Sequence, residues 1–188
     1  MNLIKAGFIQ FGPLLGQAAR NVEMAKALLD PIDGAELLVL PELSNSGYNF
    51  ISARQAYELS EEENKSEFID MLVACARAKN TCIVAGFNER SGKDLFNSSV
   101  LVTPVGIKGK YRKMHLFMNE KSIFKPGNLG LPVFDIGFCK LGMQICFDYL
   151  FPETWRILGL KGADIVCHPS NLITPYPHKV LPAQALIN

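Results

Sequence analysis

Hydrophobic and polar positions along this chain fall into blocks whose period changes repeatedly between strand-like and helical. Leu3 to Phe11 is apolar enough for a buried strand and stops at Gly12-Pro13, a strong break. From Gln17 to Asp30, Val22, Ala25, Leu28 and Leu29 recur at helical spacing, and Pro31-Ile32-Asp33-Gly34 ends the pattern. Glu36 to Leu40 is a short continuous apolar run suited to an interior strand, and it delivers Pro41-Glu42 at its C-terminal end. Asn45 to Tyr57, rich in Gly, Asn and Ser, reads as a loop, and Ser60-Glu61-Glu62-Glu63 reads as a capping box opening the next helix. That helix has one apolar face, Phe68, Leu72, Cys75 and Ala76, and closes at Lys79-Asn80 before a strand from Thr81 to Phe87.

Asn88 to Asp94 reads as a turn. Beyond it, Leu95 to Thr103 and Ile107 to Arg112 read as antiparallel strands joined by Pro104-Val105-Gly106, which leaves Lys113 at a strand end. Met114 to Gly130 holds no period, and long ordered loops are commonly functional. Val133 to Ile136 and Phe138 to Ile145 follow as strands, the second delivering Cys146. Pro152-Glu153 opens a helix through Leu160, Gly162 closes it, and Asp164 to His168 is a further strand. The last residues, Pro182 to Asn188, have the character of mid-helix sequence. Strands alternating with helices around a central hairpin predict an α/β fold in which helices cover a mixed sheet or sandwich.

Composition narrows the function classes. A chain of 188 residues, 48% hydrophobic and 20% charged, predicts one folded domain over 1–188. A net charge of +1 without any Lys/Arg run gives no electrostatic basis for a nucleic-acid or membrane partner, so a small molecule is the expected partner. The N-terminal residues lack a signal-peptide pattern and no segment has the length of a membrane span, which makes a cytoplasmic protein the expectation. The five cysteines are scattered, without a CxxC pair or a nearby His to complete a zinc spacing, so neither disulfides nor a metal are expected. Four of them, Cys75, Cys82, Cys139 and Cys167, lie inside apolar runs, as small buried hydrophobes do.

Glu42, Lys113 and Cys146 share a position type, the end of an apolar or strand-like run, where α/β folds assemble their sites. A carboxylate, an ammonium and a thiol converging at one sheet edge suffice for nucleophilic acyl chemistry. Gly142 to Asp148 reads as a strand ending in a sharp turn, a geometry that resembles a nucleophile elbow. A helix N-terminus and a neighbouring lysine are both expected to favour the thiolate there. Judged one at a time, each residue has an ordinary alternative: a core thiol for Cys146, a capping or solvated carboxylate for Glu42, a solvated basic edge for Lys113.

Several blocks together carry a family likeness. Pro41-Glu42-Leu43, then Tyr111 to Phe117 with Glu120 and Phe124-Lys125-Pro126-Gly127, then Gly142 to Asp148 leading to Phe151-Pro152-Glu153, then His168-Pro169-Ser170-Asn171, stand in the order of the nitrilase superfamily, which this chain resembles over essentially its whole length. The resemblance implies an α-β-β-α sandwich and a Glu-Lys-Cys triad on Glu42, Lys113 and Cys146, with Glu120 as a second glutamate. It further implies that Glu42 takes the thiol proton, that Lys113 and the Phe147 backbone N–H stabilise an oxyanion, and that no cofactor is needed. His115 and His168 become structural, while Tyr48, Phe147 and Asn171 are candidate pocket residues. Members of the family continue beyond the point where this sequence stops, so the resemblance also implies further C-terminal strands and a homodimer or higher homo-oligomer. The expected activity is hydrolysis of a small amide, because Phe147-Asp148 resembles the amidase-type surroundings of the cysteine. Hydrolysis of an N-carbamoyl (ureido) compound or of a nitrile is the enzymatic alternative, and a catalytically silent binding or scaffold domain is the alternative of another class.

Overall fold

Residues 3–188 are described by a computed structural model. In chain order they form β1 (Ala6–Phe8), α1 (Ala18–Leu29), β2 (Leu37–Val39), α2 (Ala53–Glu58), α3 (Glu67–Lys79), β3 (Cys82–Ser91), β4 (Asp94–Thr103), β5 (Gly106–Arg112), β6 (Val133–Asp135), β7 (Lys140–Met143), α4 (Pro152–Leu160), β8 (Ile165–Cys167) and α5 (Pro177–Ile187). One sheet has the order β1-β2-β3-β4-β5, and a second has the order β6-β7-β8. The first is parallel from β1 to β3 and antiparallel from β3 to β5.

Side-chain alternation along the strands decides how the layers stack. In β2 and β3, Leu38, Ile83 and Ala85 face α1 and α3, where they pack with Ala25, Leu29, Phe68, Leu72 and Ala76. Their neighbours Leu37, Cys82 and Val84 face the second sheet and pack with Leu141, Met143 and Cys167. On the far side of that sheet α4 approaches so closely that a Cβ on Gly142 would lie 2.9 Å from Leu158. The result is helix, sheet, sheet, helix. No helix among the described residues is long and apolar enough to cross a membrane.

Helix α3 shows how local chemistry sets an element. The Ser66 hydroxyl accepts the Ile69 N–H at 3.1 Å, Glu67 and Asp70 occupy the first turn, and Arg77 and Lys79 occupy the last. Asn80 then closes it in the left-handed conformation at φ 51°.

Ser60 is not the cap that the sequence pattern suggested. The Glu61 N–H donates to the Asn88 carbonyl at 3.0 Å, and the Glu61 carboxylate accepts from Asn45 and Ser66, so this segment is tied to β3 rather than turned into helix. The stretch expected to be loop up to Tyr57 contains α2, capped by Ser52. The turn expected from Asn88 shrinks to the two residues Gly92-Lys93, because Asn88, Glu89 and Arg90 continue the β3–β4 ladder. The first strand and β7 are shorter than their apolar runs.

Candidate active site

Each of the three strand ends carries its candidate side chain through a backbone device. Beyond β2 the chain turns so that Leu43 adopts φ 52°. Gly86 of β3 lies directly beneath, where an added Cβ would stand 2.5 Å from the Glu42 Cα. The Gly86 N–H donates to the Pro41 carbonyl and its carbonyl accepts from Ser44, which pins the turn holding Glu42. Lys113 leaves β5 with its N–H on the Asn97 carbonyl and its own carbonyl accepting from Gly127, both at 2.8 Å. The preceding Arg112 is fixed by two bonds to Glu89 at 2.8 and 2.7 Å, one to Asn128 at 2.8 Å, and a stack on the Phe96 ring.

Cys146 sits at φ 40°, a left-handed conformation that costs a non-glycine residue roughly 1–3 kcal/mol and persists only where the surroundings impose it. They do so here. The Cys146 N–H donates to the Pro169 carbonyl at 3.0 Å, and its carbonyl accepts from His168 Nε2 at 2.8 Å. The buried Asp148 carboxylate gathers the Ile145 N–H, the Tyr111 hydroxyl, and the His115 N–H and Nδ1. Asp148 thereby joins the end of β5 to the turn bearing the thiol. His168 and His115 both act on structure in this arrangement, at the Cys146 carbonyl and at Asp148.

The side chains meet in one buried cluster. Lys113 Nζ donates to Glu42 Oε1 at 2.7 Å and to Glu120 Oε1 at 2.8 Å, with Lys113 only 1% exposed. Glu120 comes from a 3₁₀ turn at Met118–Ser122, and it also accepts from the Tyr48 hydroxyl and the Phe117 N–H, each at 2.8 Å. Asn171 donates its N–H to Glu42 Oε2 at 3.0 Å, and its carbonyl faces Cys146 Sγ at 3.6 Å. Tyr48 and Asn171, expected only to line a pocket, therefore bond directly to the two glutamates. Phe147 places its ring 4.9 Å from Phe117. With Phe117, Tyr149, Leu172, Ile173 and Thr174 it walls a cleft on Cys146.

Asn97 was not singled out from the sequence, yet its amide donates to Glu42 Oε1 at 2.7 Å. The signal available was a run of polar residues, Asn97-Ser98-Ser99, inside an otherwise apolar strand, where a buried polar group needs a partner.

Burial dominates the electrostatics. It pushes the Cys146 thiol far above the ordinary range, helped by the Glu42 charge and opposed by Lys113 and the Asn171 backbone. The thiol is therefore neutral at rest, contrary to the thiolate expected from its position. Burial also raises Glu120, with Lys113 pulling it down and Glu42 pushing it up, and it raises Tyr48 so that the phenol stays a donor. Lys113 is raised by its two carboxylates against the opposing effect of burial and stays charged. A neutral nucleophile beside a carboxylate and a fixed ammonium is an arrangement for acyl transfer with proton removal at the moment of attack.

The sequence model of the carbon–nitrogen hydrolase family matches residues 5–187. The chain belongs to the carbon–nitrogen hydrolase family. The nitrilase-superfamily resemblance, the mixed α/β fold and the carbon–nitrogen hydrolase class are thus borne out. This carbon–nitrogen hydrolase is 44% identical over 188 residues to a protein of Pyrococcus abyssi (strain GE5 / Orsay) described as a nitrilase, covering 99% of this chain and 72% of that one. It is 33% identical over 174 residues to an (R)-stereoselective amidase of Pseudomonas sp, covering 92% of this chain and 62% of the relative. Among solved structures it superposes with TM-score 0.82 and 24% identity on a mutant amidase from Nesterenkonia sp. AN1 showing Michael addition of acrylamide at the active-site cysteine, covering 99% of this chain and 75% of that one. At that identity the likeness is one of fold.

Proposed function

We propose that this carbon–nitrogen hydrolase is an amidase that hydrolyses a small amide through a thioester on Cys146, releasing ammonia and a carboxylic acid. The observation that carries the reading is the buried Lys113 ammonium held between Glu42 and Glu120 at 2.7 and 2.8 Å, beside a neutral thiol. In this reading Glu42 takes the thiol proton as sulfur attacks the carbonyl carbon, and the carbonyl electron pair moves onto oxygen. Lys113 and the Phe147 backbone N–H stabilise that oxyanion. Collapse of the intermediate expels ammonia with the proton that Glu42 held, leaving the acyl group on sulfur. Glu42 then draws a proton from water, whose oxygen attacks the thioester and regenerates the thiol. Glu120, fixed by Tyr48 and the Phe117 N–H, holds Lys113 and the water in place.

The side chains around Cys146 include Phe117, Phe147, Leu172 and Ile173, and this apolar surrounding favours an apolar acyl group. Nitrile hydrolysis is the second reading, supported by the relative described as a nitrilase. Ammonia release from a panel of aliphatic and aromatic amides, ureido acids and nitriles separates the classes. Release from amides with apolar acyl groups is expected, and no release from any class by the full-length protein would overturn the reading. The homo-oligomer implied by the family resemblance is part of this proposal and is measured by light scattering.

A further inference from the structure

Asn97 lies at the centre of β4, fully buried, and touches every charged member of the cluster. Its backbone carbonyl accepts the Lys113 N–H at 2.8 Å. Its amide nitrogen donates to Glu42 Oε1 at 2.7 Å and reaches Glu120 Oε1 at 3.4 Å. Both acceptors are carboxylate oxygens, so the amide must present its NH2 group to them. Its Oδ1 then makes no protein hydrogen bond among the described residues. A group of this polarity is costly to bury, and an apolar residue of similar shape would pack there without that cost.

The two oxygens of Glu42 are unequal. Oε1 receives Lys113 Nζ and Asn97 Nδ2, each at 2.7 Å. Oε2 receives the Asn171 N–H at 3.0 Å, with the Asn171 side-chain amide at 3.5 Å. A carboxylate oxygen offers two lone-pair directions; both on Oε1 are taken by short bonds, whereas Oε2 holds one bond at 3.0 Å and one long contact at 3.5 Å, which leaves it the more open to a proton. Asn171 is also the residue whose carbonyl accepts from the Cys146 thiol at 3.6 Å, so one residue touches both Oε2 and the thiol. Donors from three segments, Asn97 on β4, Lys113 at the end of β5 and Asn171, together fix its plane, and Asn97 is the one that shares Oε1 with the ammonium.

We propose that Asn97 is a positioning residue that holds Glu42 turned so that Oε2 receives the Cys146 proton. In that step the S–H bond breaks, the proton joins Oε2, and the electron pair left on sulfur forms the bond to the substrate carbon. This rests on the reading of Glu42 as the base for Cys146.

The test is the rate at which iodoacetamide alkylates Cys146 in the full-length protein between pH 5 and 10, read by peptide mass spectrometry, so that it does not depend on knowing the substrate. Wild type, Asn97→Leu, Asn97→Asp and Glu42→Gln are compared. Loss of a hydrogen bond to a charged group predicts alkylation about ten- to a hundredfold slower at pH 7 in N97L, with the acidic limb of the profile moved to higher pH. N97D, equal in size, sets a carboxyl oxygen against Glu42 Oε1 in place of the donor, so the pair binds a proton more tightly, the limb moves the same way, and this variant carries the test if N97L does not fold. A wild-type profile in both variants, with the limb lost in E42Q, overturns the role of Asn97 and leaves Glu42 as the base. Slowing by one factor at every pH, with no movement of the limb, also overturns it, since a purely structural defect would do that. A wild-type profile in E42Q overturns the underlying reading and the proposal with it.

Discussion

Lys113→Met removes the one cation from between two buried carboxylates. Lys113 is 1% exposed, Glu42 is fully buried and Glu120 is 5% exposed, so water cannot replace the ammonium at either oxygen. Removing one partner of a buried ion pair costs about 3–5 kcal/mol, because the remaining charge is left uncompensated. The cost depends on pH. Burial already holds Glu120 above the ordinary carboxylate range, and Lys113 is the largest influence pulling it back. Without it, Glu120 rises further. A carboxyl raised in the folded state binds its proton more tightly there than in the unfolded chain, so that contribution to stability is present at low pH and is lost as pH rises through the folded value. The variant should therefore lose the full amount near pH 8 and recover part of it toward pH 5, by no more than about 1.4 kcal/mol per pH unit for each proton taken up. Urea unfolding followed by the fluorescence of the single tryptophan measures this. Trp155 is 7% exposed, and its indole N–H donates to the Tyr149 carbonyl. A variant within about 1 kcal/mol of wild type at pH 8, or one whose deficit grows as pH falls, would refute the reasoning.

Gly86→Ala would put a methyl group 2.5 Å from the Glu42 Cα and 2.7 Å from the Leu43 nitrogen, both backbone atoms. We expect a loss of about 1–3 kcal/mol in urea unfolding and, from displacement of Glu42, roughly a hundredfold in kcat, while wild-type values for both would contradict the close approach. Asp148→Asn sets an amide NH2 against donors on one side of a carboxylate that accepts from Ile145, Tyr111 and His115, so stability should fall by about 2–4 kcal/mol by the same method. A change below about 0.5 kcal/mol would show that Asp148 is not the tie between the two segments.

Much of this arrangement is legible in the chain because apolar runs end at the candidate site. The runs before Glu42 and Cys146 and the strand before Lys113 marked three ends of sheet strands, and the structure brings those ends together. Glu120 was legible only through the family likeness, since its 3₁₀ turn lies in a segment without periodicity. Asn97 is not legible in the sequence, because a strand of mixed polarity does not say which buried partner its amide meets. The false cap at Ser60 has the same origin. Its local pattern was sound, but Glu61 is claimed by Asn45, Ser66 and Asn88, contacts set by tertiary packing. Position alone does not give the state of the Cys146 thiol. Lys113 and the Asn171 backbone pull it toward the thiolate, but burial and the neighbouring Glu42 outweigh them.

In the proposed reaction, carbon–nitrogen bond cleavage passes through Cys146. Acid-quenching the full-length protein during turnover of an amide and mapping adducts by peptide mass spectrometry tests this directly. An acyl adduct on the Cys146 peptide alone and no hydrolysis in Cys146→Ala are expected, whereas product formation without any adduct and with full activity in Cys146→Ala would contradict that route.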